Sequence, residues 1–289
     1  MVDIFKLLII IEIICLLAII IFAWIYILTI LLVKRFHTAA NILTSNICLA
    51  GATSASFWIA YFIILGFYPI LLSNQAVLCL LLRYFQTVCS CLTTYALLTT
   101  TISRFFAVVY PNKRLFQRHT WSIISAITQW ILAFTLPSPN FAVITQGCYD
   151  YSLVPFWLRF YTLFIIFILP SILIGVFNAL IFFNVASSTR RVQALSTTTS
   201  NHANSNHQHA RDMHLLKHII FIFIVFIVGW GPIYTLSVIA PDSNRYYTLY
   251  LVLQLLPALS SLIVILDLFM YNRDLRHYLK QKIMKYLLL

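Results

Sequence analysis

Very few side chains in these 289 residues could do chemistry, and where they fall matters more than how many there are. Glu12, Arg104 and Asp267 sit inside or at the edge of apolar runs, and Asp212 stands at the head of another. An ionisable group in such a run is costly to insert, normally faces protein or water, and is a functional candidate for that reason. Between Cys79 and Arg104 the positions Cys79, Arg83, Gln86, Ser90, Thr93, Leu97 and Arg104 lie within about 40° of one another on a helix, so one face carries the polar residues. At ~1.5 Å per residue that stretch is roughly 37 Å long, more than a ~30 Å hydrocarbon core, which sets Cys79 at one membrane surface and Arg104 at the other. Groups so placed serve recognition and charge pairing rather than bond making. His202, His207 and His209 lack a cage of cysteines or carboxylates, so no metal is expected on them. The intramembrane histidines and carboxylates that hydrolysis or metal chemistry would need are missing too, and the chain reads as no enzyme, with no cofactor.

The elements that must hold these groups follow from composition. With 62% hydrophobic and 9% charged residues, the chain is far from a soluble domain, whose shares are nearer ~45–50% and ~25%. Apolar runs long enough to span recur at about 7–33, 41–65, 76–109, 120–137, 156–186, 214–240 and 247–271. We therefore expect an all-α membrane protein, one domain over residues 1–289, built as a seven-transmembrane helix bundle. The first run is too long for a signal-peptide core and is read as a retained span. Residues 187–213, rich in Ser, Thr, Asn and His, read as a flexible loop. Leu275, Leu279 and Ile283, with Arg276, Lys280, Lys282 and Lys285 around them, make residues 273–286 a short amphipathic eighth helix on an anionic leaflet.

A net charge of +12 does not indicate nucleic acid here, because most of the basic residues follow spans 1, 3, 5 and 7. The positive-inside rule makes that face cytoplasmic and the N-terminus extracellular. Cys15, Cys48, Cys89 and Cys91 lie within spans and read as small packing residues, whereas Cys79 and Cys148 both fall at the outer surface, where disulfides persist.

The order of landmarks resembles the rhodopsin-like G-protein-coupled receptors. A cysteine opens span 3, and Ser103-Arg104-Phe105 closes it with Pro111 beyond. Asn41 to Gly51 is similar to that family's span-2 segment, and Trp130 stands in span 4. Phe167-Ile-Leu-Pro170 marks span 5, Phe226-Ile-Val-Gly-Trp230-Gly-Pro232 span 6 and Asp267-Leu-Phe-Met-Tyr271 the end of span 7. The resemblance implies a disulfide from Cys79 to Cys148. It implies a plasma-membrane receptor that takes an extracellular ligand in a pocket lined by Gln86, Thr87, Ser90, Trp230, Tyr234 and Gln254, and that opens a cytoplasmic cleft to a heterotrimeric G protein. The switch would comprise Arg104, Asp212, Phe226, Trp230, Pro232, Asp267 and Tyr271, with Arg104 latched to Asp212 at rest and span 6 swinging at Pro232.

Gln86 stands where amine receptors carry an aspartate, so the implied ligand is a peptide or another non-amine molecule. Arg83 would meet an acidic ligand group or a loop carboxylate at Asp150, and the residues leave both open. Ser103, Gly51, Asn178 and Leu268 depart from the family pattern, the second of them at the acidic position of its sodium pocket. A channel or transporter is the competing class, and neither an inverted repeat nor a file of membrane acids supports it.

Overall fold

A computed structural model describes residues 2–67, 76–110, 113, 116, 118–142, 154–196, 202–239 and 243–287. Of Asp212 it describes the backbone alone, and Cys148 and Asp150 lie outside the described residues. Eight helices follow one another: α1 (Val2–Leu32), α2 (Ala39–Phe67), α3 (Ala76–Val109), α4 (His119–Thr135), α5 (residues 156–196), α6 (His202–Ile239), α7 (Ser243–Tyr271) and α8 (Arg273–Leu287). All but α4 and α8 are long and apolar enough to cross a membrane. With 17 residues, α4 is at the short end of the ~17–25 that span a bilayer. The protein is an all-α membrane protein whose seven helices bundle around α3, with an amphipathic eighth helix after them. Its rim exposes Ile14, Leu31, Phe183 and Ile224, an apolar surface that suits lipid and not water.

In lipid the backbone must satisfy its own polar groups, so each helix break needs a donor from elsewhere. The clearest case is α5, which is α-helical over Phe156–Leu163, widens to a π turn over Phe164–Ile168 and resumes over Leu169–Ser196. Within the turn the N–H of Leu169 reaches back five residues to the Phe164 carbonyl. By the same spacing Ile165 would be served by residue 170, which is proline and has no N–H. The Tyr95 hydroxyl of α3 donates to that carbonyl instead, at 3.0 Å. At the C-terminal end of α4 the Tyr84 hydroxyl donates to the Phe134 carbonyl at 2.7 Å, and Tyr161 to Leu136 at 2.9 Å. Pro137 and Pro139, close behind, offer no N–H to that end of the helix.

Side-chain amides join α2, α3 and α4. Asn46 donates to the Gln129 carbonyl oxygen, Gln129 Nε2 donates to the Leu92 carbonyl at 3.1 Å, and Trp130 Nε1 donates to Asn46 Oδ1 at 2.9 Å. Ser54 of α2 adds a bond to the Cys89 carbonyl at 2.9 Å. At the opposite flank Asn272, between α7 and α8, donates to the Tyr26 hydroxyl at 3.2 Å and to Asn41 Oδ1 at 3.3 Å, while its own oxygen accepts from the Leu275 N–H. That last bond caps α8. Leu275 is buried, Tyr278 meets Phe36 edge to face, and Arg276, Lys280 and Lys282 stay exposed.

Two features differ from the expectations. Helix α5 continues to Ser196 and α6 begins at His202, so most of the loop expected over residues 187–213 is helical. A helix already nucleated in lipid adds one hydrogen bond per residue, which carries even a polar stretch some turns onward. Helix α7 has leucine at 268, where the family pattern that the sequence resembles carries a proline, and holds Pro257 in its interior instead. The breaker has moved three turns, not vanished.

Helices α6 and α7 pass close to one another at Gly229. A Cβ there would overlap the Cβ and Oγ of Ser260 and stand 3.3 Å from the Leu256 carbonyl. Gly229→Ala should therefore destabilise the bundle by about 1–3 kcal/mol, the usual cost of overpacking. Ser260→Gly on the same background should restore most of the loss, read as thermal unfolding in detergent. A Gly229→Ala protein as stable as wild type would show that the two backbones are not held this close.

Candidate functional site

At the Cys79 end the helices diverge around a cavity of about 110 Å³. Helix α3 supplies Arg83, Gln86 and Thr87, one turn or less apart, because its polar stripe faces inward there. Trp230 and Tyr234 come from α6, with their rings stacked at 5.9 Å and inclined by 8°, and Gln254 comes from α7. These six, all singled out from the sequence, meet on one cavity wall.

Ser90, expected beside them, does not. It is fully buried, and its hydroxyl donates to the Gln86 carbonyl one turn back at 3.0 Å. This local bond, common for serine in apolar helices, turns the group along its own helix and away from the opening. Thr87 is bonded likewise to the Arg83 carbonyl at 3.1 Å but keeps contact with the cavity.

Other lining residues were not marked. Asn140 reaches the wall from a short 3-10 segment, Ser138–Ala142, which follows α4. Its amide donates to the Pro137 carbonyl at 2.9 Å and to Thr87 Oγ1 at 3.5 Å. Arg159 of α5 lines the cavity as well. Two of its guanidinium nitrogens, Nε and Nη1, are buried without a hydrogen-bond partner among the described residues, and the group lies 6.0 Å from the Phe156 ring. Glu12 of α1 opens into the same space and is 6% exposed. Gly51 and Thr93 also border the cavity, so it reaches the position at which the resemblance implies an acid.

Cys79 is disulfide-bonded, while Cys15, Cys48, Cys89 and Cys91 are free thiols.

Arg104 lies at the other end of α3. It borders a much smaller space of about 20 Å³, together with Thr100, Thr101, Phe226 and Leu268. Its electrostatic neighbours are Tyr271 and Asp267 of α7 and Tyr26 of α1. Phe226 is fully buried against the Phe167 ring at 6.1 Å, one turn before Trp230. Pro232 sits inside α6 two residues beyond Trp230, where its missing N–H frees a backbone bond and permits a bend. Asn178 of α5, buried near this end, leaves both amide atoms without a partner among the described residues.

Water-borne reagents can test the lining directly. A cysteine at Gln86 should react with a charged methanethiosulfonate added from the Cys79 side, and one at Ser90 should stay unlabelled over the same time. Equal labelling would mean that the α3 face is rotated from the one described.

Residues 23–266 match the family model for the 7 transmembrane receptor, rhodopsin family. Among curated proteins the chain is similar to the neuropeptide S receptors of Macaca mulatta and Mus musculus, each 23% identical over 206 residues, and of Homo sapiens, 22% identical over 206 residues. In each case the match covers 64% of this chain and 55% of the relative. The chain thus spans about half the length of the curated relatives it matches. With the match to the family running through most of its length, and the cavity and the half-buried Arg104 at opposite ends of α3, the chain belongs to the rhodopsin family of seven-transmembrane receptors.

Proposed function

We propose that the protein is a plasma-membrane receptor, with its N-terminus and the Cys79 end outside, that binds a peptide and activates a heterotrimeric G protein at the Arg104 end. Membership in a receptor family supports a signalling role over enzymatic, channel or transport work. The observation that carries the reading is the course of α3, which borders the larger cavity at Arg83 and the smaller one at Arg104. One rod touches both the place where a ligand would sit and the place where a partner would be met.

The relatives are named receptors for neuropeptide S, and it is the class of ligand that we extend to this chain, not that peptide. A peptide also suits a cavity whose wall holds Gln86 and aromatic rings and two guanidinium groups. The partner of Cys79 in this reading is Cys148, which would tie the loop after α4 across the mouth.

Ligand contact on the stacked Trp230 and Tyr234 would favour a state in which α6 has turned about Pro232, since a ligand shifts an equilibrium only through differential contacts. In the resting state Arg104 is held by Asp212 of α6, and the α7 groups Asp267 and Tyr271 take it over as α6 departs. Removing one partner of a buried pair costs the state that contains it about 3–5 kcal/mol, so the latch sets the basal level.

The test is nucleotide exchange by purified heterotrimeric G proteins on the receptor in nanodiscs. Wild type should accelerate exchange with some member of a neuropeptide collection, and Asp212→Ala should raise exchange severalfold with no peptide present. Flux of ions through receptor-loaded liposomes, with no exchange by any G protein, would overturn the reading. Unchanged basal exchange in Asp212→Ala would remove the latch alone.

A further inference from the structure

An acidic and a basic side chain line the larger cavity without meeting. Glu12 is nine-tenths buried, opens into the cavity, and has no hydrogen-bond or ion partner among the described residues. On the far side Arg159 buries two guanidinium nitrogens that no described residue accepts from, and Arg83 lines the same cavity. Neither arginine is an electrostatic neighbour of Glu12.

The topology explains the separation. Helix α1 packs on α2 and α7, whereas α5 packs on α3 and α6. At about 8–10 Å per helix contact their axes stand on the order of 20 Å apart. Buried ionisable groups left without partners are expensive, so a cavity that keeps Glu12 and the two Arg159 nitrogens in that state is built for something that supplies their partners.

Resting on the receptor reading, we propose that the ligand is a peptide segment with a basic and an acidic side chain several residues apart, the base seated at Glu12 and the acid between Arg83 and Arg159. A free amino acid is too short, because its ammonium and carboxylate share one carbon. Side chains reaching in from both walls leave a gap that a stretch of about two to four residues fills at ~3.4 Å each. The arginine fork favours a carboxylate over a neutral acceptor. Trp230 and Tyr234 lie between the charged walls and cover the apolar middle of the segment.

The probe is a display library of random eight-residue peptides with neither terminus free, selected on the full chain in nanodiscs after counter-selection on empty nanodiscs. Wild type should enrich peptides that hold one basic and one acidic residue at a constant spacing. Glu12→Gln should lose the preference for the base and keep that for the acid, and Arg159→Gln the reverse, with Arg159→Lys retaining the acid. For a synthesised winner, neutralising either charge should weaken binding to wild type by about tenfold or more and leave binding to the matching variant nearly unchanged. That comparison on wild type decides the matter if a variant does not fold. Enriched peptides without the two charges, or variants that select the same charges as wild type, would overturn the proposal and leave the peptide reading standing. No enrichment over empty nanodiscs would overturn both.

Discussion

Backbone polar groups in lipid have no water to turn to, and this constraint organises the bundle around α3. Three places where a helix lacks a donor are served by phenols: Ile165 by Tyr95, Phe134 by Tyr84, and Leu136 by Tyr161. Two of those phenols sit on α3, and Tyr161 on α5 closes the third side. Each bond replaces one that proline or a helix end has taken away, and so its geometry is tied to a fixed residue rather than to general stickiness. The π turn of α5 and the end of α4 are thereby pinned to α3, and the mouth between them becomes the cavity wall that holds Arg83, Arg159 and Asn140.

The fold class was legible because lipid allows so few solutions. A chain this apolar, with runs of spanning length and positive charge after alternate runs, has helices as its only economical answer. The stripe on α3 was legible for a related reason, since polar residues repeating at helical spacing in an apolar setting must share a face, and Arg83, Gln86 and Thr87 do border one cavity. Ser90 shows the limit. Periodicity gives the direction of a Cα–Cβ bond, but whether a hydroxyl looks outward or bonds back to its own helix depends on a single torsion that spacing does not encode.

What escaped the sequence reading shares a physical character. Arg159 and Asn140 matter through where a non-helical turn puts them. The π turn just beyond Arg159 and the 3-10 segment holding Asn140 are set by the prolines at 170, 137 and 139 acting with phenols from distant helices. Such partnerships join residues about 25 to 70 positions apart and leave no local periodicity. Pro257 is the converse case. It stands at 257, three turns before the leucine at 268 where the family pattern has its proline, and no local pattern tells that the helix runs on through it.

Three of the departures from that pattern fall at or near the two cavities or in the packed interior. Gly51 borders the larger cavity, Leu268 borders the space around Arg104, and Asn178 of α5 is buried with an unmatched amide. Replacing an acid by glycine removes a charge that would have needed its own counterion between the two ends, and Ile265 approaches the vacated side to 3.3 Å of where a Cβ would be. In the receptor reading, coupling from one end to the other would run through packed contacts. The rings of Trp230 and Phe226, one turn apart, and the close passage of Gly229 over Ser260 are the contacts available. A rotation of α6 about Pro232 cannot occur without sliding that passage, because interfaces packed this closely have discrete arrangements and do not deform continuously. In the receptor reading proposed above, the movement that would free Arg104 is gated by the glycine immediately before Trp230, with Pro232 as the hinge and the small side chains of Gly229 and Ser260 as the room.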